Sequence, residues 1–238
     1  MKIIILIPVF NDFKSASKLI EEIDINISEL KEEFSVLVVN DASTEEKILD
    51  TKNLNNIKSL KLINMRNNKG HARCIAAGLK HISENVDFDY VIPMDGDGED
   101  RPEEIRNFLE KIKDNPNKSI VGERVKRSES LIFKICYFFH KIITYTFTGK
   151  FIKFGNYTCL TNQTVKKLIE DKATWSSFSG SLAKIDNNLI KSPSIRGSRY
   201  FGPSKMSFIN LINHSLAIIA VFKTCLLYTS PSPRDRRL

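Results

Sequence analysis

An acidic stretch follows an apolar one in the first half of the chain. Residues 94–104, MDGDGEDRPEE, hold six carboxylates among eleven residues and come directly after the apolar run YVIP of residues 90–93. Carboxylates this close repel one another and raise each other's pKa unless a cation lies among them. Hard divalent cations bind one or two carboxylates together with phosphate oxygens. The spacing of Asp95 and Asp97 therefore predicts a metal site, with Glu99 as a third ligand or a neighbour of the ligands.

A solvated acidic turn in front of a helix is the alternative interpretation of this stretch. Asp100 has the side chain of a helix N-cap, and Pro102 suits a first helical turn. Glu103 and Glu104 favour the positive end of a helix dipole. A helix is therefore expected to begin near Pro102. This interpretation accounts for the end of the stretch but not for its Asp-Gly-Asp beginning.

Strands and helices alternate along the first half of the chain and are expected to position these carboxylates. Continuous apolar runs predict strands buried on both faces, and apolar residues at helical spacing lie between them. The expected strands are residues 3–9, 34–39, 60–65, 88–94 and 119–121, and the expected helices are residues 13–30, residues 71–83 and one after Pro102. This order predicts an α/β fold with an open, mostly parallel sheet and helices on both faces.

Polar clusters follow four of the expected strands. They are Asn11 with Asp12, then residues 40–43 (NDAS), residues 67–70 and residues 95–99. Because the carboxyl ends of parallel strands meet at one edge of a sheet, these loops are expected to converge on a ligand site.

Each cluster also has a purely structural interpretation. Asp41 and Ser43 could cap a helix near Thr44, since these residue types favour caps and turns. Gly70 could be a turn glycine and Arg73 a solvated side chain. A helix N-terminus that carries an arginine is equally a natural phosphate site.

Composition limits the classes of protein that remain. The chain has 238 residues, 42% of them hydrophobic, which fits one sizeable folded domain rather than a disordered chain. Its net charge of +8 suits a phosphorylated substrate, an anionic membrane or nucleic acid. The four cysteines lie far apart without a CxxC pair, so neither a zinc site nor a disulfide framework is indicated. The apolar N-terminus, MKIIILIPVFND, is short and is interpreted as a buried strand rather than a signal peptide.

The last residues differ in character from the rest. Residues 225–238, CLLYTSPSPRDRRL, resemble a translated sequencing adapter and are expected not to be native, the alternative being a natural Pro/Ser-rich tail. They hold three arginines and one aspartate, so the net charge without them is +8 − 2 = +6.

Two segments of the second half combine aromatic and aliphatic residues with lysines. They are residues 131–148 and residues 208–222, FINLINHSLAIIAVF. Charges interrupt the first too often for it to span a bilayer. Amphipathic helices that lie in the membrane interface are therefore favoured over buried core helices.

The motifs together resemble a known family. The segments IPVFND, VVNDAS, NKGHARCIAAGL and MDGDGEDRPEEI are similar to those of family 2 glycosyltransferases with the GT-A fold. The later segments VGERVKR, FGNYTCLTNQTVKKL and RYFGPSKMSFINLI resemble the polyprenyl-phosphate branch, which includes dolichol-phosphate mannose synthase-like enzymes. Two positions depart from that branch. Its metal motif reads D-A-D-L-Q where this chain has DGDGE, and Asn156 stands where an acidic residue is common.

The resemblance implies an inverting, metal-dependent glycosyltransferase at the cytoplasmic face of the cell membrane. It would move a sugar from a nucleotide-diphosphate sugar to a polyprenyl phosphate. The metal, Mg²⁺ or Mn²⁺, would act as a Lewis acid on the leaving diphosphate. The implied metal ligands are Asp95, Asp97 and Glu99, and the implied catalytic residues are Asp95, Asp97, Arg199 and Lys205. The implied nucleotide-binding residues are Pro8, Val9, Phe10, Asn11, Asp41, Ser43, Gly70, Arg73 and Asp95.

The same resemblance implies a division of the chain. Residues 1–124 would form the nucleotide-sugar-binding half and residues 125–224 the acceptor-binding half, followed by the tail at residues 225–238.

Other functions remain open at this stage. The acceptor could be a glycan hydroxyl, which needs a general base, and Asn156 replaces the acid best placed to serve as one. A nucleotide-binding module without catalysis is a second alternative, supported by the two departures from the motifs. Nucleic acid is not an expected partner, because the sequence carries no recognisable nucleic-acid-binding module and no basic, aromatic sheet face.

Overall fold

A computed structural model describes residues 1–45, 49, 51, 54–126, 145–146, 149, 152–202 and 216–222. The strands are β1 (Lys2–Val9), β2 (Glu33–Asn40), β3 (Ile57–Asn64), β4 (Tyr90–Pro93), β5 (Ile120–Lys126), β6 (Phe154–Thr161) and β7 (Ile190–Ile195). The α-helices are α1 (Phe13–Asn26), α2 (His71–Asn85), α3 (Ile105–Asp114), α4 (Asn162–Glu170) and α5 (Phe178–Ile185). Short 3₁₀ helices cover Pro102–Glu104 and Lys172–Trp175.

The seven strands form a sheet in the order β3-β2-β1-β4-β6-β5-β7. Strand β1 pairs in parallel with both β2 and β4, and β2 pairs in parallel with β3. Strand β6 runs antiparallel to β4 and to β5, and β5 is parallel to β7. The predicted α/β fold with a mostly parallel sheet is confirmed. The sequence did not predict β6 and β7, and β6 is the strand that brings the second half of the chain to the centre of the sheet.

Helices cover both faces of the sheet, and β1 shows why. Residues 3–9 are all buried, as expected for a central parallel strand. Alternate side chains of a strand point to opposite faces. Ile3, Ile5 and Ile7 belong to the core that α1 and α3 form on one face, whereas Ile4 and Leu6 belong to the core formed with α2, α4 and α5. This double burial fixes the register of β1 and therefore the position of the loop that follows it.

The predicted division into a nucleotide-sugar-binding half and an acceptor-binding half after residue 124 stays a prediction. Strands from both halves lie in this one sheet.

Residues 216–221 are helical, and Val221 and Phe222 are buried against Ala183 and Phe154. The predicted interfacial helix at residues 131–148 lies outside the described residues except for residues 145 and 146, and so do residues 208–215. No helix in the described ranges combines the length and the apolar character needed to cross a membrane.

Candidate active site

The loops after β1 and β2 are tied to each other. The backbone N–H of Asn11 donates to Ser43 Oγ at 2.9 Å, and the N–H of Thr44 donates to Asn11 Oδ1 at 2.8 Å. Asn40 Oδ1 accepts the N–H of Ser43 at 2.9 Å. Asn11 and Ala42 both have positive φ, 48° and 56°, which non-glycine residues seldom adopt. These bonds hold two of the four predicted loops together at the carboxyl edge of the sheet.

Asp41 connects the β2 loop to the start of α2. Its side chain is buried, and its two carboxylate oxygens accept the backbone N–H groups of Lys69 at 2.7 Å and Gly70 at 2.8 Å. Gly70 is the N-cap of α2 and has a φ of 90°, which glycine adopts without steric cost. Asp41 thus fixes the N-terminus of α2 at the edge where the other loops meet.

Asp95 lies at the centre of the site. Its Oδ1 contacts His71 Nε2 at 3.1 Å and accepts a hydrogen bond from Asn156 Nδ2 at 3.1 Å, and Asn156 Nδ2 lies 2.8 Å from His71 Nε2. Within the described part of the chain, no hydrogen bond reaches Asp95 Oδ2. Strand β6 supplies Asn156 because it runs antiparallel to β4, which brings its first residues beside the end of β4. Among the described residues, Asp95 therefore has one oxygen held by protein and one oxygen without a hydrogen-bond partner.

Charge around Asp95 favours its ionised form. Burial works to raise the pKa of Asp95, but His71, the hydrogen bond from Asn156 and the Arg124 guanidinium outweigh it, and the pKa is lowered. Desolvation works to lower the pKa of His71, but Asp95, with Asp97 and Asp41, outweighs it, and the pKa is raised. The site is thus built to keep a carboxylate charged in a partly buried place.

Asp100 does not cap a helix, contrary to the expectation from the sequence. The 3₁₀ helix begins at Pro102 with Arg101 at its N-cap. The Asp100 side chain is buried and points back into the loop, where its Oδ2 accepts the backbone N–H of Asp95 at 2.9 Å. Burial, followed by the charge of Asp95, raises the pKa of Asp100 well above its usual range. Asp100 therefore holds the backbone of Asp95 in place, a role that the turn chemistry of the sequence did not reveal.

Residues 196–202, called the strap here, lie against residues 95–101, called the acidic loop, which connect β4 to the 3₁₀ helix at Pro102. Arg199 Nη1 forms an ion pair with Asp97 Oδ2, and Arg199 Nη2 lies 3.4 Å from Asp12 Oδ2. The other oxygen of Asp97 accepts the N–H of Glu99 at 3.0 Å, and Glu99 itself is paired with Arg196. Burial and the neighbouring Asp95 raise the pKa of Asp97, against the lowering effect of the two strap arginines.

The donor set fits a cation that shares its ligands with a bound substrate. Among the described residues, no group of three His, Cys, Asp or Glu side chains is arranged to hold a metal ion by itself. Asp95 offers an open oxygen, whereas Asp97 and Glu99 are engaged by arginines. Mg²⁺-type sites with one or two carboxylates and phosphate oxygens from the substrate need no more protein ligands than this. Asp97 would join such a site by exchanging Arg199 for the cation.

The remaining predicted residues have different positions. Pro8 and Val9 are the buried end of β1, and the Phe10 side chain beyond them is 43% exposed. Arg73 is exposed in the first turn of α2, and its Nη1 lies 3.4 Å from the carbonyl oxygen of Lys69. Lys205 lies outside the described residues.

Sequence reasoning did not assign several residues that the fold brings to this edge. They are Asp12, His71, Asp100, Asn156 and Arg196. Asp12 lies in a polar cluster that was predicted to reach the site, and His71 directly follows another, so their position in the chain was a usable signal. Asn156 was noticed only as a departure from a motif, and Arg196 gave no signal because its partner is distant in sequence.

Comparison with known proteins gives the family and the fold. Residues 4–164 match the family Glycosyl transferase family 2. The chain is 26% identical over 236 residues to undecaprenyl-phosphate 4-deoxy-4-formamido-L-arabinose transferase of Klebsiella pneumoniae (strain 342), a match that covers 96% of this chain and 68% of that protein.

Solved structures of glycosyltransferases share the architecture. Mannosyl-3-phosphoglycerate synthase from Rubrobacter xylanophilus matches with a TM-score of 0.65 at 12% identity, covering 100% of this chain and 78% of that one. Glucosyl-3-phosphoglycerate synthase from Mycobacterium tuberculosis, solved with Mn²⁺, UDP-glucose and phosphoglyceric acid, matches with a TM-score of 0.64 at 12% identity, covering 94% and 79%. The S. aureus TarS structure matches with a TM-score of 0.54 at 16% identity, and the match spans 82% of this chain but 36% of that one. The matched family and the shared GT-A fold show that the chain belongs to glycosyltransferase family 2.

Proposed function

We propose that this glycosyltransferase moves a sugar from a nucleotide-diphosphate sugar to a polyprenyl phosphate at the cytoplasmic face of the membrane, with inversion at the sugar's anomeric carbon. The observation that carries the proposal is the position of Asp95 at the edge where the strand-end loops meet, with His71 and Asn156 at its Oδ1 and no hydrogen-bond partner for its Oδ2 among the described residues. The acceptor class is supported by the Klebsiella relative, whose name specifies undecaprenyl phosphate and which aligns with 96% of this chain.

The nucleotide is proposed to lie along the loops after β1 and β2 and at the start of α2. The residues assigned to it are Pro8, Val9, Phe10, Asn11, Asp41, Ser43, Gly70 and Arg73, together with Asp95. Asp41 contributes by fixing the backbone of Lys69 and Gly70, so that the N-terminus of α2 faces the site. A helix N-terminus attracts phosphate through its unpaired N–H groups and its dipole.

A divalent cation, Mg²⁺ or Mn²⁺, is proposed to be held by Asp95 and Asp97, with Glu99 beside them. When bound, it supplies Lewis-acid stabilisation of the negative charge that develops on the leaving diphosphate. His71 and Asn156 orient Asp95, and Asp100 holds its backbone. Arg199 neutralises Asp97 in the absence of a cation, and it would be free to bind a phosphate when a cation replaces it. Lys205 is assigned to the same phosphates from the sequence alone.

A lipid phosphate needs little further help from the protein. Its attacking oxygen is already anionic, so the enzyme has no proton to remove from it. The Asn156 amide, where a carboxylate would provide a base, is consistent with such an acceptor.

Transfer from a panel of radiolabelled UDP- and GDP-sugars tests the proposal. Undecaprenyl phosphate and soluble glycans are offered as acceptors, with added Mn²⁺ or Mg²⁺ and with excess EDTA. We expect label to enter the organic phase only with the lipid phosphate and only when the metal is present. Label in a glycan would overturn the acceptor, and full activity in EDTA would overturn the metal. Neither transfer nor donor hydrolysis with any sugar would leave a nucleotide-binding module as the better description.

A further inference from the structure

The strap is joined to the acidic loop by backbone and side-chain contacts. The N–H of Gly197 donates to the carbonyl oxygen of Glu99 at 2.8 Å, and the N–H of Tyr200 donates to the carbonyl oxygen of Asp97 at 3.0 Å. A Cβ added to Gly197 would lie 2.7 Å from the carbonyl oxygen of Gly98, so the two backbones touch. The strap therefore has one defined register on the loop.

Side chains at both ends of this contact carry opposite charges. Arg196 pairs with Glu99 and Arg199 pairs with Asp97. Glu99 is the more enclosed partner of the first pair, with 15% of its side chain exposed against 41% for Arg196. Beyond them, the Tyr200 hydroxyl donates to Glu22 on α1.

The hydrogen bonds of the Arg199 guanidinium are incomplete. Its Nε is buried and has no hydrogen-bond partner among the described residues. A buried donor left unpaired costs free energy, so the contacts with Asp97 and Asp12, together with the neighbouring contacts of the strap, must hold the guanidinium where it is. Apart from the ion pair of Arg199 itself, the pair between Arg196 and Glu99 is the one ion pair that the described residues show between the strap and the acidic loop.

We propose that Glu99 and Arg196 form a positioning pair, which fixes the strap on the acidic loop and thereby places Arg199 between Asp97 and Asp12. Glu99 then acts through Arg196, in contrast to Asp95, whose open oxygen faces the ligand site. The kinetic consequence rests on the proposed function, whereas the structural consequence does not. Loss of the pair is expected to loosen residues 197–200 and to leave Arg199 poorly oriented toward phosphate.

A double-mutant cycle with Glu99→Gln, Arg196→Gln and the double variant tests the pair. Glu99→Gln keeps a side-chain oxygen for a metal but removes the charge that Arg196 needs. Hydrogen exchange of a peptide covering residues 197–200 is measured without substrate, and kcat/KM is measured for transfer. Each single variant is expected to exchange about three- to tenfold faster and to lose activity, and the double variant to be no worse than the more affected single variant, because one interaction is lost only once.

Two further variants serve as references. Arg196→Lys retains the charge and is expected to recover most of the protection and of the activity. Arg106→Gln removes an arginine from another surface ion pair, with Glu29 at 2.7 Å, and is expected to match the wild type in both measurements.

The outcomes separate this inference from the proposed function. Unchanged exchange in both single variants would overturn the pair, whatever the enzyme transfers. Kinetic losses that multiply in the double variant would also overturn it, because Glu99 would then act independently of Arg196. An enzyme inactive with every donor and acceptor would contradict the proposed function but leave the exchange result intact.

Discussion

At the scale of single residues, the carboxylates of the acidic loop have two kinds of partner. His71 and Asn156 hold one oxygen of Asp95, and no hydrogen bond from the described part of the chain reaches the other. Asp97 and Glu99 are engaged by Arg199 and Arg196 of the strap. The carboxylates form one cluster in the sequence but have different partners in the structure. Substitutions at these positions are therefore expected to have different effects.

Removing the charge of Asp95 or Asp97 should abolish transfer. Asp95→Asn and Asp97→Asn preserve the shape of the side chains but weaken cation binding, so the rate should fall about 100-fold or more through loss of several kcal/mol of charge stabilisation. Initial transfer rates and Mn²⁺ titration calorimetry measure the two effects. Asp87→Asn is the control, since this exposed carboxylate pairs with Lys2 at the opposite edge of the sheet. Wild-type rates in either site variant would remove that residue from the mechanism.

The two glycines of the loop should respond differently to alanine. Gly98 has a φ of 87°, and an added Cβ would lie 2.5 Å from the Tyr200 ring, so Gly98→Ala should cost about 1 to 3 kcal/mol of stability and displace the strap. At Gly96 an added Cβ would meet Ile7 Cγ2 at 3.2 Å and the Pro8 carbonyl oxygen at 3.3 Å, and a cost of about 1 kcal/mol is expected from this milder crowding. Urea unfolding of both variants makes the comparison. Equal losses of unfolding free energy in the two variants would show that the left-handed backbone at Gly98 does not determine the cost of the substitution.

At the scale of elements, the site depends on where strands end and helices begin. The buried strands β1, β2 and β4 deliver their loops to one edge, and antiparallel β6 adds Asn156 from the opposite chain direction. On the far side of the sheet, α4 and α5 support α2, whose N-terminus carries His71. The segment that connects α4 and α5 does not contact the site, but its stability is therefore expected to affect the position of α2 and of His71.

Asp171 is the polar centre of that connection. Its Oδ1 accepts the N–H of Ala173 at 3.0 Å, and its Oδ2 accepts from Ser181 Oγ at 3.0 Å and lies 3.3 Å from Lys184 Nζ. Burial works to raise the pKa of Asp171, but these bonds outweigh it, and the pKa is lowered from its usual value of 3.8.

Asp171→Ala should lower the free energy of unfolding by about 1 to 2 kcal/mol at pH 7, because a cap and a charge-assisted bond are lost. A carboxyl whose pKa is lowered by folding stabilises the protein fully above its unfolded pKa and loses that effect as the pH falls through the folded pKa. The gap between variant and wild type should therefore begin to narrow as the pH falls below 3.8. Urea titrations from pH 7 to pH 3 measure this gap. Asp114→Ala, at an exposed helix end, should stay within about 0.5 kcal/mol of wild type throughout. A gap for Asp171→Ala that does not change with pH would contradict the assignment.

At the scale of the whole molecule, the chain carries more basic than acidic residues, although its candidate site is acidic. The net charge is +8, or +6 without residues 225–238, which resemble an adapter. The acidic loop is itself neutralised in part by Arg196 and Arg199. A net positive charge suits both an anionic sugar donor and an anionic membrane. Vesicle binding tests the attraction to a membrane separately from donor binding.

The chain should bind anionic vesicles reversibly. Each basic residue near such a surface contributes about 1 kcal/mol of attraction. The aromatic and aliphatic residues of segment 131–148, and those of segment 208–222 other than the buried Val221 and Phe222, are expected to add apolar contact. Sedimentation with phosphatidylglycerol vesicles should carry the protein into the pellet at low salt and release it at high salt, whereas neutral phosphatidylcholine vesicles leave it in solution. Protein that stays in the supernatant with anionic vesicles at low salt would remove the support for interfacial helices.

Local sequence signals predict most elements of the first half and the edge at which their loops meet. Buried runs such as residues 3–9 and the helical spacing after Phe13 are local signals, and parallel strands bring their carboxyl ends together in any fold of this class. It also identified Asp95, Asp97 and Arg199 as members of one site, through motifs rather than through contacts. The tertiary structure decided which partner each charge has. It places Asn156 beside Asp95, turns Asp100 away from its helix, and joins Arg196 to Glu99 across 97 residues of sequence. Such pairings depend on the order of strands in the sheet and on the path of the strap, which local propensity and spacing do not encode.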